Sequence, residues 1–189
     1  MALTIQQIIS ESDLLVPNSV PIADKIVALN AINGDFFNTV KIPVIHRFSA
    51  TANQATFTLP PAVRSKDIDL VTVGLIKYQS LDEDNVSPLQ NAYSYDDTSR
   101  TLMLSPVPYQ TGLQGIVRYR RIATTTFLAS ALTAVPDAPD EYQWTYIPAL
   151  ASWLADMEDD GGKSSKYDIQ YRNAWNAAAQ NYIKEAPPK

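Results

Sequence analysis

The sequence has no cysteine and a single histidine, His46. Disulfide frames, thiolate metal sites and cysteine nucleophiles are excluded, and one imidazole cannot build a zinc site alone. No G-x-S-x-G elbow is present to place a serine nucleophile. No apolar stretch approaches the roughly 18 residues needed to span a bilayer. The opening MALTIQQIISESD has no basic stretch ahead of an apolar run, so no secretory leader is expected. A soluble chain with no catalytic residues, no cofactor and no metal is the reading these absences leave.

What is present is a core-forming composition. Of 189 residues, 46% are hydrophobic and 19% charged, enough for one domain with an insertion or two small ones. The net charge of −5 is unevenly placed: −2 over residues 1–41, +1 over 42–123 and −4 over 124–189. No broad basic face exists to neutralise phosphates, so tight nucleic-acid binding is not expected. An acidic protein can still surround DNA without gripping it, because like charge leaves the polymer mobile.

Helical period at both ends flanks strand period in the middle. Thr4 and Gln7 form a capping box, with Leu3 and Ile8 as a hydrophobic staple, for a short helix ending near Ser12. A second helix is expected from about Ser19 to Asn33, with Pro21 in its first turn and Gly34 as a left-handed C-cap. Ile22, Ile26 and Leu29 share its apolar face. The middle carries about four to six strands. ATFTL at 55–59 alternates, and DIDLVTVGLIKY at 67–78 reads as one long strand with Gly74 as a bulge. Residues 80–91 read as a polar loop, 93–104 as a hairpin turning at 96–100, and QGIVRYRRI at 114–122 as another strand.

Near the C-terminus, Asp140 and Gln143 offer a second capping box. Either the helix kinks at Pro148, or the main helix begins near Ile147 with Pro148 in its first turn. Gly161-Gly162 breaks the chain, and Ser164 or Ser165 caps a last helix carrying an aromatic stripe of Tyr167, Tyr171, Trp175, Ala178 and Tyr182. The fold class is α+β: a helical bundle from an N-terminal helix pair and a C-terminal helical hairpin, with an inserted small antiparallel β domain. The expected domains are 1–41 plus 128–189 for the helical core and 42–127 for the insert.

Several motifs only imitate chemistry. Gly162-Lys163-Ser164 resembles the end of a phosphate loop, but Met157 stands where its first glycine belongs and a helix precedes it. Asp156, Glu158, Asp160 and Gly161 resemble the opening of a calcium loop, but Tyr167 occupies the position of its closing glutamate. His46 lies in a strand with no partner for metal or acid–base work. Arg118, Arg120 and Arg121 surround Tyr119, with 118 and 120 on one strand face and 121 on the other. Subunit contact, phosphate contact and a solvated face all remain open for them. Tyr171, Trp175 and Tyr182 serve either as core or as interface anchors. Two rival classes are a virion receptor- or carbohydrate-binding module with a β platform at Tyr93 and Tyr95, and a carboxylate-pair glycosidase, against which acidic pairs such as Asp82 and Asp84 lie in a polar loop and not in a strand-end cleft.

The order of elements resembles the tailed-phage head–tail adaptor (connector or head-completion) proteins. Three stretches carry the resemblance: ATFTLP at 55–60; YDDTSRTLMLSPVP at 95–108 followed by GIVRYRR at 115–121; and the region from Pro139 to Glu185, where a helix ends in an acidic turn before a Tyr/Trp-striped helix. The resemblance implies a virion protein of the neck, made in the host cytoplasm, with no catalysis and no membrane contact. It implies a homo-oligomeric, dodecameric ring beneath the portal protein and above a tail or tail-completion protein, with DNA passing through its channel without specific binding. It also implies that the C-terminal region meets the portal, adding Ile183, Lys184 and the tail 183–189 to the interface candidates.

Overall fold

The computed structural model describes residues 2–81 and 91–184; the expected loop over 80–91, the Asp82–Asp84 pair and the tail beyond Lys184 lie largely outside the described residues. The chain is α+β, with four α-helices and a curled seven-stranded sheet among the described residues. It divides into two compact units, Met1–Lys41 with Ala123–Lys189, and Ile42–Ile122.

In the helical unit, α1 (Ile5–Leu15) begins with the capping box: the Gln7 N–H donates to Thr4 Oγ1 and the Thr4 N–H donates to Gln7 Oε1 at 2.9 Å. It runs past Ser12, whose buried hydroxyl donates back to the Ile8 carbonyl at 2.7 Å and so is satisfied inside the helix. α2 (Ile22–Val40) is longer than its glycine suggests. Pro21 is its N-cap, Gly34 sits mid-helix, and the left-handed cap falls on Lys41 with φ 58°. One interior glycine costs about 1 kcal/mol; burial of Phe36, Phe37 and Val40 on the following turns outweighs it. Lys25 is 5% exposed and pairs with Asp13 at 2.7 Å, joining α1 to α2.

The return segment from 123 to 145 has little regular structure, so its polar groups are satisfied by turns, by the N–H groups of Ile5 and Gln6 at the start of α1, and by side chains. Asn30 brackets the Phe127 backbone, accepting from its N–H at 2.7 Å and donating to its carbonyl at 3.1 Å. Asn33 donates to Asp137 at 3.0 Å and accepts from the Tyr146 hydroxyl at 2.7 Å. Asp137 also accepts the Thr124 and Thr125 N–H groups and the Thr125 hydroxyl. Gln143 does not cap a helix with Asp140; it is buried, accepting from the Leu3 N–H and donating to the Ala138 carbonyl.

After a short 3-10 turn, α3 (Tyr146–Met157) begins with Pro148 in its first turn, so the helix starts there instead of kinking. Asp159, at φ 55°, turns the chain into α4 (Gly161–Lys184). The Asp160 carboxylate accepts the Lys163 N–H at 3.1 Å, so α4 starts ahead of Ser164 and the two glycines lie in its first turn.

The β unit holds β1 (Pro43–Ser49), β2 (Thr56–Thr58), β3 (Ile68–Val73), β4 (Ile76–Ser80), β5 (Ala92–Asp96), β6 (Thr101–Ser105) and β7 (Gln114–Arg120) in the order β1-β7-β3-β4-β5-β6-β2. The sheet is not purely antiparallel, because β4 and β5 pair in parallel. The expected single strand over 67–78 is two strands. Val73 pairs with Ile76 around a Gly74-Leu75 turn, where glycine takes φ 59°. Val71, Val73, Leu102, Leu104, Val117 and Tyr78 fill the core. The curl brings the two edge strands together: the ring of Phe48 on β1 lies 4.6 Å from that of Phe57 on β2.

Two outcomes follow from this packing. A Cβ on Gly115 would lie 2.3 Å from the Phe48 ring, which is itself wedged against Phe57. Gly115→Ala should therefore lower stability by about 1–3 kcal/mol, read as a drop in melting temperature. Burial alone would raise the Asp137 pKa, but the bonds from Thr125, Asn33 and Thr124 outweigh it and hold it below 3.8. A depressed folded-state pKa gives stability that is present above the unfolded value and lost as pH falls through the folded one. Melting temperature should fall on acidification below about pH 4, and Asp137→Asn should flatten that limb; identical acid limbs in both proteins would contradict this assignment.

Candidate functional site

The aromatic stripe of α4 divides by depth. Tyr167, Trp175 and Ala178 are buried in the helical unit. The Trp175 ring meets Phe36 edge-on at 5.6 Å, and its Nε1 donates to the Thr145 hydroxyl at 2.8 Å, which in turn donates to the Tyr142 carbonyl. Tyr171 and Tyr182 are half-buried, and Ile183 is 55% exposed. The side chain of Lys184 lies outside the described residues. Trp175 therefore braces the helix from within, and Tyr171 and Tyr182 reach the surface.

Tyr171 sits in a small polar cluster. Its hydroxyl donates to Asp168 at 2.8 Å, Arg172 donates to the same oxygen at 2.7 Å, and the Arg172 guanidinium lies 5.3 Å from the Tyr171 ring centroid. Burial first, then the bond to the Asp168 carboxylate, pushes the Tyr171 pKa up to about 12. The phenol is a fixed neutral donor at physiological pH, suited to holding shape and not to acid–base chemistry.

Beside it, α2, α3 and α4 enclose a groove of about 590 Å³. Val27, Ile32 and Trp153 give it apolar surface, and Asp35, Asp156 and Asp168 give it negative charge; no lysine or arginine lines it. Sequence reading missed this groove. Val27, Ala31 and Asp35 recur every fourth residue, a signal that emerges only once α2 is carried past Gly34.

In the β unit, Tyr119 points inward and is buried, while Arg118 and Arg120 lie on the outer face of β7. Both guanidinium groups approach Asp69 of β3, at 3.9 and 3.3 Å. The backbone N–H of Arg121 donates to the Ile42 carbonyl beyond the strand end. The arginines are thus two groups, with Asp69 offsetting part of the charge on one. Asp69 was not legible as their partner, since only strand register brings 69 beside 118 and 120.

The imitated motifs resolve into structural roles. Asp160 caps α4, and Gly162-Lys163-Ser164 is that helix's first turn. The His46 ring stacks with Phe48 on β1. Tyr93 and Tyr95 are buried at 6% and 8% exposure, so they form no exposed platform. Among the described residues no group of three or more His, Asp or Glu is arranged to hold a metal ion, and no helix is long and apolar enough to cross a membrane.

The family model described as SU10 adaptor protein matches residues 3–188, across both units. No curated protein matches the chain significantly.

Because Trp175 is buried with a satisfied N–H, Trp175→Ala should cost about 3–5 kcal/mol. Trp175→Phe should lose less, retaining an aromatic ring against Phe36 while leaving the Thr145 hydroxyl without its donor. Thermal melting measures both, and an unchanged melting temperature for Trp175→Ala would contradict the bracing role.

Proposed function

This chain belongs to the SU10 adaptor protein family, a family of phage head–tail adaptors, and we propose that it forms a homo-oligomeric ring between portal and tail at the virion neck. The observation that carries this reading is the extent of the match: the family model runs over the helical and the β unit alike. The adaptor role and place in the virion follow from membership; the ring, its partners and the channel are the proposal. In it, a helical bundle of residues 1–41 and 128–189 carries residues 42–127 as an inserted β domain. Twelve copies are the number implied by the resemblance to connector proteins.

Charge supports a channel wall. Residues 1–41 and 123–189 hold 7 basic and 13 acidic residues, giving −6. Many such units around an axis repel the DNA backbone, so the polymer passes without sticking. The outer face of β7, with Arg118, Arg120 and Asp69, offers ion pairs to a neighbouring subunit, and Arg121 lies at the strand's end. The last helix, through Tyr171, Tyr182, Ile183 and Lys184 and the tail beyond, faces the portal, with Trp175 holding it in shape. Catalysis has no part in this role.

Mixing the purified protein with its own portal tests the proposal. Mass photometry should show a discrete complex of portal plus a fixed number of copies, formed cooperatively because each copy stabilises its neighbours by mass action. Absence of any association at high concentration would overturn it.

A further inference from the structure

We infer that Leu75, at the tip of the β3–β4 hairpin of one copy, seats in the α2–α3–α4 groove of the next copy, with Lys77 set against the groove's carboxylates. The inference rests on the ring reading above and names the contact that builds the ring.

Leu75 is fully exposed, at 105%, on a turn where most chains place a polar residue. The turn is fixed. Gly74 holds φ 59°, its N–H donates to the Gln114 carbonyl at 2.9 Å, and it packs beneath Leu113. An apolar side chain on a rigid tip loses little entropy on docking, which is the condition for a useful anchor. Lys77, two residues on, is also exposed. The hairpin therefore offers one leucine and one ammonium at a set spacing.

The groove offers the complement. Its 590 Å³ exceeds the volume of a leucine side chain; Val27, Ile32 and Trp153 can take the apolar knob, and Asp35 and Asp156 the ammonium, Asp168 being held already by Arg172 and Tyr171. Val27 is 69% exposed at its rim. The whole units differ in sign as well: the β unit carries 8 basic and 7 acidic residues, +1, against 7 basic and 13 acidic, −6, for the helical unit. Opposite charge steers encounter and disfavours pairing of like units. A contact between two different patches is heterologous, and repeated copies of it form a ring where the rotation closes and an open filament where it does not, whereas a self-complementary patch stops at a dimer.

The absence of cysteine makes a direct test simple. Leu75→Cys and Ser165→Cys, the latter at the groove, are purified separately, mixed, assembled with portal and treated with a short bis-maleimide. A covalent pair of unlike variants can only join two copies. Its yield should exceed that of a Leu75→Cys and Met103→Cys control by about tenfold or more, because docking raises the effective concentration of the thiols. A second variant, Leu75→Glu, should keep wild-type melting, since the side chain packs against nothing, yet fail to assemble at concentrations where wild type does. Normal assembly of Leu75→Glu, or assembled rings without the cross-link, overturns this contact and leaves the ring reading standing. Failure of the wild-type protein to assemble with portal overturns both.

Discussion

The helical unit depends on the buried side-chain amide of Asn33. It joins three parts of the chain that are remote in sequence: α2 itself, the return segment through Asp137, and the start of α3 through the Tyr146 hydroxyl. Asn33 and Tyr146 are almost completely buried, so each lost bond would leave a polar group without water or partner, at about 1–3 kcal/mol. The arrangement is cooperative. Asn30 does the same for Phe127, Gln143 for Leu3 and Ala138, and Thr145 receives the Trp175 N–H. An irregular segment thereby has its buried polar groups paired, and the chain can leave the helical unit at Lys41 and return to it at Ala123.

That economy suits an adaptor. A protein that joins two assemblies needs surfaces that keep their shape, and the aromatic and polar groups here are placed for rigidity. Trp175 is inside, Tyr171 and Arg172 are locked to Asp168, and the groove's carboxylates stand beside apolar side chains. The exposed features are those an assembling protein uses: a charged outer strand face, an acidic groove and an apolar hairpin tip.

Local signals in the sequence were legible where one short stretch decides the outcome. The Thr4–Gln7 cap, the alternation around Phe57 and the 93–104 hairpin each depend on neighbours within a few residues, whereas at Pro148 a kink and a helix start were both open. Signals failed where distant packing overrode them. Gly34 reads as a stop, but burial of Phe36, Phe37 and Val40 carries α2 onward. The Gly74-Leu75 turn hides inside an apolar run because leucine stands where asparagine or aspartate would announce it. Asp160 and Ser164 are both good caps, and only the course of the preceding turn chooses between them. The parallel β4–β5 pair, the Asp69 partnership and the groove arise from long-range register and helix packing, which spacing along the chain does not encode.

The central claim is that this chain is a ring-forming structural adaptor of the virion neck. A cryo-electron microscopy reconstruction of the neck tests it most directly. The account predicts density for both units of this chain in a closed ring of identical copies between portal and tail, surrounding DNA without side chains inserted into its grooves. Finding the chain at a fibre or receptor-binding tip, or as a single copy away from the channel axis, would contradict it.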